Sequence, residues 1–140
     1  EAASVDVRET EEDILADLHE LDDPVLQYAY LVACAGDAEP YPDSLRDDEH
    51  LVRECQVKTW IDARHHADGA VRLVGDSESI AIRGALALLE ELFDGRRPEE
   101  LAGYPCGLLD DEAFARHFTK TQLRGLEAIV RKIIGRQTAT

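Results

Sequence analysis

Apolar positions recur at helical spacing over the first quarter of the chain, break into short alternating runs in the middle, and return to helical spacing afterwards. Residues 1–8 have no clear periodicity and read as a frayed end. Ile14, Leu15, Leu18 and Leu21, with Asp and Glu between them, predict a short amphipathic helix, and Thr10 with Asp13 resembles a capping box at its start. Asp23-Pro24 restarts the chain as an N-cap followed by proline at the first helical position. Val25, Tyr28, Ala29, Val32 and Ala35 form the expected apolar face of this second helix, and Gly36 is placed to end it. From Asp37 to Asp48 the composition turns to Asp, Glu, Pro and Ser, which predicts a loop of about a dozen residues.

His50 to Arg53 predicts a short strand leading to Cys55, Lys58 to His66 a second, and Ala70 to Val74 a third, with Asp68-Gly69 as the hairpin turn between the last two. Gly75-Asp76-Ser77 then opens a helix, with Asp76 or Ser77 as the expected N-cap. Ile80 to Phe93 is apolar on nearly all sides, the mark of a buried helix. Gly84 inside it costs about 1 kcal/mol against Ala, which close approach of another backbone would explain. Gly95 ends this helix, and Pro98 starts a brief helical turn to Ala102. Tyr104-Pro105-Cys106-Gly107 reads as a loop, and Asp110 or Asp111 caps a short helix through Phe114 and Phe118. Thr119 with Gln122 forms a capping box before a last amphipathic helix carrying Leu123, Leu126, Ile129, Val130, Ile133 and Ile134. Arg131, Lys132 and Arg136 lie toward its C-terminus, where the helix dipole favours cations. With no internal repeat and no linker, the expectation is one α+β domain over 1–140, a small antiparallel sheet of about three strands packed with helices.

Composition narrows the function classes. A hydrophobic content of 44% supports a sizeable core, while no apolar run approaches the ~20 residues needed to span a bilayer. The start, Glu-Ala-Ala-Ser, has neither a basic region nor a secretory apolar segment. A net charge of -15 repels phosphate backbones and anionic lipid, so neither nucleic acid nor membrane is an expected partner. The three cysteines are an odd count, lack a C-x-x-C pair and match no common zinc spacing. Reduced thiols in a cytoplasmic protein fit this best.

Chemistry concentrates on Leu51 to Ile61, where an apolar run stops at Arg53 and Glu54, turns through Cys55 and Gln56, and resumes at Trp60, the one tryptophan. A thiol at such a break can reach outward while its neighbours pack inward. Arg53 and Lys58 would favour the thiolate, whereas Glu54 and apolar surroundings would oppose it. An isolated cysteine can equally be a small buried hydrophobe. Cys34, on a helix, reads as a packing thiol, and Cys106, in a Pro-Gly loop, as a candidate resolving partner for Cys55. His65 and His66 adjoin the hairpin turn and point to opposite faces of a strand, so they do not share a metal.

The segment Cys55-Gln56, followed by Trp60-Ile61, resembles the sulfur-acceptor proteins of the SufE family. The likeness continues in order through Leu73-Val74-Gly75-Asp76-Ser77, Ala81-Ile82-Arg83-Gly84-Ala85-Leu86, His117-Phe118-Thr119 and Gly125-Leu126-Glu127-Ala128-Ile129, roughly residues 12 to 135. This chain departs from the family pattern at Glu54 (commonly Gly), Val57 (often Ser) and Gln122 (often Arg). The resemblance implies a small antiparallel sheet covered by helices, with Cys55 on the loop joining the first two strands. It implies that Cys55 accepts a persulfide sulfur from a SufS-like cysteine desulfurase, activates that enzyme and passes the sulfur to an iron–sulfur cluster scaffold (SufBCD-like). The pyridoxal phosphate belongs to the desulfurase, and no cofactor or metal is expected on this chain. Asp76, Arg83 and Gln122 are candidates for positioning or partner contact. Two rivals remain at this level: a thiol-redox enzyme pairing Cys55 with Cys106, and an interaction domain with inert thiols.

Overall fold

The computed structural model describes residues 6–138, of which 136–138 by backbone alone. The element order is α1 (Val7–Leu21), α2 (Pro24–Asp37), β1 (Thr59–His65), β2 (Val71–Ser77), α3 (Ile80–Phe93), α4 (Pro98–Leu101), α5 (Glu112–Ala115) and α6 (Lys120–Thr138). The protein is α+β, with helices around a small antiparallel sheet. Single 3-10 turns at Asp43–Leu45 and Leu108–Asp110 punctuate the loops.

α1 begins earlier than periodicity indicated. Asp6 is its N-cap, in a reciprocal capping box with Glu9, so the expected fraying of residues 1–8 does not extend to Asp6–Arg8; residues 1–5 lie outside the described residues. Thr10 is no cap: its hydroxyl donates to Asp6 O (3.2 Å) and accepts from Arg96 Nη2 (2.7 Å). Asp23 caps α2 as expected, its carboxylate accepting from Val25 N at 2.8 Å, but the helix runs one residue past Gly36.

The buried face of α2 is not the expected one. Leu31 and Gln27 are buried, while Val25 is 75% and Tyr28 41% exposed. From Pro24 to Gly36 this helix is uncharged on every side, so periodicity could not choose a face. Two contacts choose it. Gln27 Nε2 donates to Leu18 O at 3.0 Å, and its Oε1 pairs with His117 Nε2 at 3.1 Å, tying α2 to α1 and to the turn after α5. Leu31 lies on Gly84 of α3, where a built Cβ would stand 2.4 Å from Leu31 O. The close backbone approach inferred from Gly84 is thus the α2–α3 contact.

β1 and β2 pair in one register, Thr59 opposite Ser77 through His65 opposite Val71. The strand expected at His50–Arg53 is reduced to a bridge between Leu51 and Trp60, with Val52 N donating to Thr59 O (2.8 Å) and Ile61 N to His50 O (2.9 Å). Gly75, Asp76 and Ser77 belong to β2 rather than to a helix start; Ser79 caps α3, its hydroxyl accepting from Ile82 N at 3.2 Å. The outer edge of β2 is covered rather than open. Val71 N donates to Arg96 O (2.8 Å), Leu73 N to the Asp94 carboxylate (2.6 Å) and Gly75 N to the Glu90 carboxylate (3.1 Å). Edge N–H groups satisfied in this way offer no template for another strand.

α3 is buried along its length except at Ile80, Ala87 and its polar positions, and packs between α2 and the sheet. Leu86 meets the β2 backbone at Gly75, where a built Cβ would stand 3.2 Å from Leu86 Cδ1. Asp111 caps α5, which ends at Ala115, short of Phe118. The Thr119–Gln122 capping box opens α6 as expected, with Thr119 N to Gln122 Oε1 at 2.8 Å and Gln122 N to Thr119 Oγ1 at 3.1 Å. The Arg136 side chain lies outside the described residues. Among the described residues, no helix is long and apolar enough to cross a membrane.

Candidate functional site

Cys55 sits on the turn between the Leu51 bridge and β1. Its N–H donates to Val52 O at 3.2 Å, closing a tight turn that puts Arg53 and Glu54 outside and draws the thiol half inward. Leu51 to Lys58 surround a shallow hollow of about 190 Å³ beside it. On the inner side the sulfur meets α6 at Gly125: a Cβ built there would lie 2.5 Å from Cys55 Sγ. No real Cβ contact is that short, so the thiol occupies the space a side chain at 125 would need.

Thr59 lies on the same side. Successive strand residues face opposite ways, so Thr59 points inward while Trp60 points out. The Thr59 hydroxyl is fully buried; its oxygen pairs with Ser77 Oγ across the strand pair (2.9 Å), and its one proton is shared between Val57 O (3.2 Å) and the thiol. Ser77 Oγ in turn accepts from Ser79 N at 3.1 Å. A backbone N–H and two buried hydroxyls are therefore lined up beneath the sulfur.

Burial pushes the Cys55 thiol above the ordinary cysteine range, the hydrogen bond from Thr59 pulls it back, and the Glu54 charge raises it further. Arg53 and Lys58, expected to favour the thiolate, are exposed and are not among the groups acting on it; Arg53 Nη2 turns to Asp48 O at 3.5 Å. Glu54 acts in the direction its charge predicts.

The other candidates divide into two places. Asp76 and Arg83 come together, Asp76 Oδ1 lying 3.8 Å from Arg83 Nε, but the centre of that cluster is Arg46. Its Nη1 is 2.7 Å from Asp76 Oδ2, and its guanidinium lies over the Tyr41 and Trp60 rings at 5.3 and 5.2 Å. Asp76 is opposite Trp60 in the register, on the sheet face turned away from Thr59. Gln122 joins neither group; its side chain is used in the α6 cap.

All three described cysteines are free. Cys106 packs by α1, where burial and the Glu11 and Asp110 charges push its thiol up to about 11. Cys106 meets Glu11 and Leu108, whereas Cys55 meets Thr59 and Gly125. Cys34 is raised by burial and hydrogen-bonds Tyr30. His65 and His66 are exposed, as expected at a hairpin. Asp47, Glu49 and His50 are the one group of metal-type side chains close together among the described residues, but His50 Nδ1 is taken by Asp47 Oδ1 at 2.7 Å.

Sequence reading missed Thr59, Ser77 and Arg46. Two hydroxyl residues directly opposite in a hairpin register were a usable signal; the role of Arg46, out in the acidic loop, had none. Gly125 stood inside a quoted motif without a role.

Two comparisons bear on this geometry. The family model SufE, described as an Fe-S metabolism associated domain, matches residues 12–137. A hypothetical protein of Thermus thermophilus, known from a solution structure, is similar at 25% identity with a TM-score of 0.74, over 91% of this chain and 93% of that one.

Proposed function

The chain belongs to the SufE family, and from that premise we propose that it is a sulfur acceptor in which Cys55 takes a persulfide sulfur from a SufS-like cysteine desulfurase. Family membership gives the coarser statement, a role in iron–sulfur metabolism. The finer reading rests on one observation: the thiol carried by the turn between the Leu51 bridge and β1 borders a hollow built by its own loop, with a hydroxyl placed to stabilise its charged form.

The chemistry is an exchange at sulfur. The Cys55 thiolate attacks the terminal sulfur of the desulfurase's cysteine persulfide. The donor S–S bond breaks, the donor cysteine leaves as a thiolate, and a new S–S bond forms on Cys55 with no net gain or loss of electrons. The rate then follows the thiolate fraction and its access. Clearing α6 requires outward movement of the 53–58 turn, which is tied to the fold at its far end where Lys58 O accepts from Glu78 N at 2.9 Å. The carrier then activates the desulfurase by emptying its persulfide, and delivers the sulfur to a SufBCD-like scaffold in the cytoplasm. Asp76, Arg83 and Gln122 have lesser roles in this reading: Asp76 anchors Arg46, Arg83 lies beside Asp76, and Gln122 caps α6.

Incubation with a SufS-like desulfurase, cysteine and pyridoxal phosphate, followed by mass spectrometry without reductant, tests it. One added sulfur atom on the Cys55 peptide is expected, and none in Cys55→Ser. An active desulfurase that leaves Cys55 unmodified, or a Cys55–Cys106 disulfide in place of the persulfide, overturns the assignment.

A further inference from the structure

The residue on α6 that faces the thiol is a glycine in a helix interior, a position where alanine would favour the helix. Helix geometry gives no reason for it: Gly125 is buried, lies more than a turn from either described end of α6, and has no positive φ. The neighbour that explains it is Cys55. A Cβ at 125 would collide with Cys55 Sγ at 2.5 Å, yet would lie 3.7 Å from both Cys55 Cα and Cβ, an ordinary contact. The incompatibility is with the sulfur atom alone. Gly135 on the same helix has nothing within 4 Å of its built Cβ.

We propose that Gly125 is a positioning residue for Cys55: its missing side chain is the socket that seats the sulfur against α6, and side-chain volume at 125 sets the balance between a seated and an outward thiol. The seat holds the sulfur beside the Thr59 hydroxyl. An occupied socket would leave the 53–58 turn with its thiol outside. The importance of this balance for sulfur transfer rests on Cys55 being the acceptor; the seat itself does not.

Two measurements on the isolated protein test the seat. In the first, Cys55 alkylation by iodoacetamide is followed by peptide mass spectrometry across a range of pH, with Cys34 and Cys106 in the same samples as internal references. Gly125→Ala is expected to raise the Cys55 rate about ten-fold, as the outward population grows, and to move the pH midpoint down toward that of ordinary cysteine. The rates at Cys34 and Cys106, and the Cys55 rate in Gly135→Ala, are expected to stay at their starting values. An unchanged Cys55 rate, or all three thiols accelerating together, overturns the proposal, since general loosening exposes every thiol. In the second, thermal melts are compared in a double-mutant cycle. Gly125→Ala is expected to lower Tm with Cys55 present and not in the Cys55→Ala background, where the sulfur is gone. Equal losses in both backgrounds, or a failure of Cys55→Ala/Gly125→Ala to fold, overturn it. Neither assay contains a desulfurase. Failure of sulfur loading therefore sinks the acceptor reading and leaves the seat standing, while failure of these two assays does the reverse.

Discussion

At the residue scale, the reactivity of Cys55 is a contest between burial and Glu54 on one side and a single hydroxyl on the other. Because the folded thiol ionises above the ordinary cysteine range, its thiolate is the minor form at neutral pH and reactivity climbs with pH. Thr59→Val keeps the shape and removes the donor. A hydrogen bond to the charged form favours it, so the alkylation midpoint is expected to rise. Thr59→Ser is expected to restore it, and Glu54→Gln to move it down. A midpoint unmoved by Thr59→Val would remove the hydroxyl from the site. Its break in an apolar run marked Cys55 as a candidate nucleophile. The hydroxyl was not singled out, because a threonine in a strand is the commonplace residue there.

At the scale of elements, Gly84 decides how α2 meets α3. Alanine gains about 1 kcal/mol of helix propensity over glycine, but a Cβ 2.4 Å from Leu31 O must push two backbones apart. Overpacking costs of about 1–3 kcal/mol are typical where side chains give way; here the obstacle is a carbonyl, so the clash wins. Gly84→Ala is expected to lower the denaturation midpoint, with a net loss of about 2 kcal/mol by urea unfolding. Equal or greater stability would mean that α2 is not held where Leu31 places it. The glycine pointed to a close approach before the partner was visible. It could not name α2's buried face, because that helix is uncharged around its circumference from Pro24 to Gly36.

Over the whole molecule, charge and edge protection meet at Glu90. Its carboxylate covers the β2 edge at Gly75, and burial, reinforced by the Asp94 and Glu39 charges and opposed by Gly75 N–H and Arg72, lifts it from 4.5 to about 7. The folded state therefore binds more protons than the unfolded state between those values, so stability falls as pH rises through that window and levels off above it. Discounted for partial exposure, the loss is about 1–2 kcal/mol. Glu90→Gln keeps an acceptor for Gly75 N–H without the charge. It is expected to raise Tm by several °C at about pH 8 and to have little effect near pH 4. A gain of equal size at both pH values would show that packing rather than ionisation sets the cost.

The α+β class, the hairpin at Asp68-Gly69, the buried character of α3 and its end near Gly95, the Asp23 and Thr119 caps and the candidate thiol all follow from local signals, each carried by residues within a turn or two of one another. What only the tertiary structure decided joins residues far apart in the chain: Leu31 on Gly84, Arg46 between Tyr41, Trp60 and Asp76, Cys55 on Gly125. Periodicity says that a face is apolar or that a glycine is out of place. It carries no information about which distant backbone fills the space, because that is settled by close packing of whole elements.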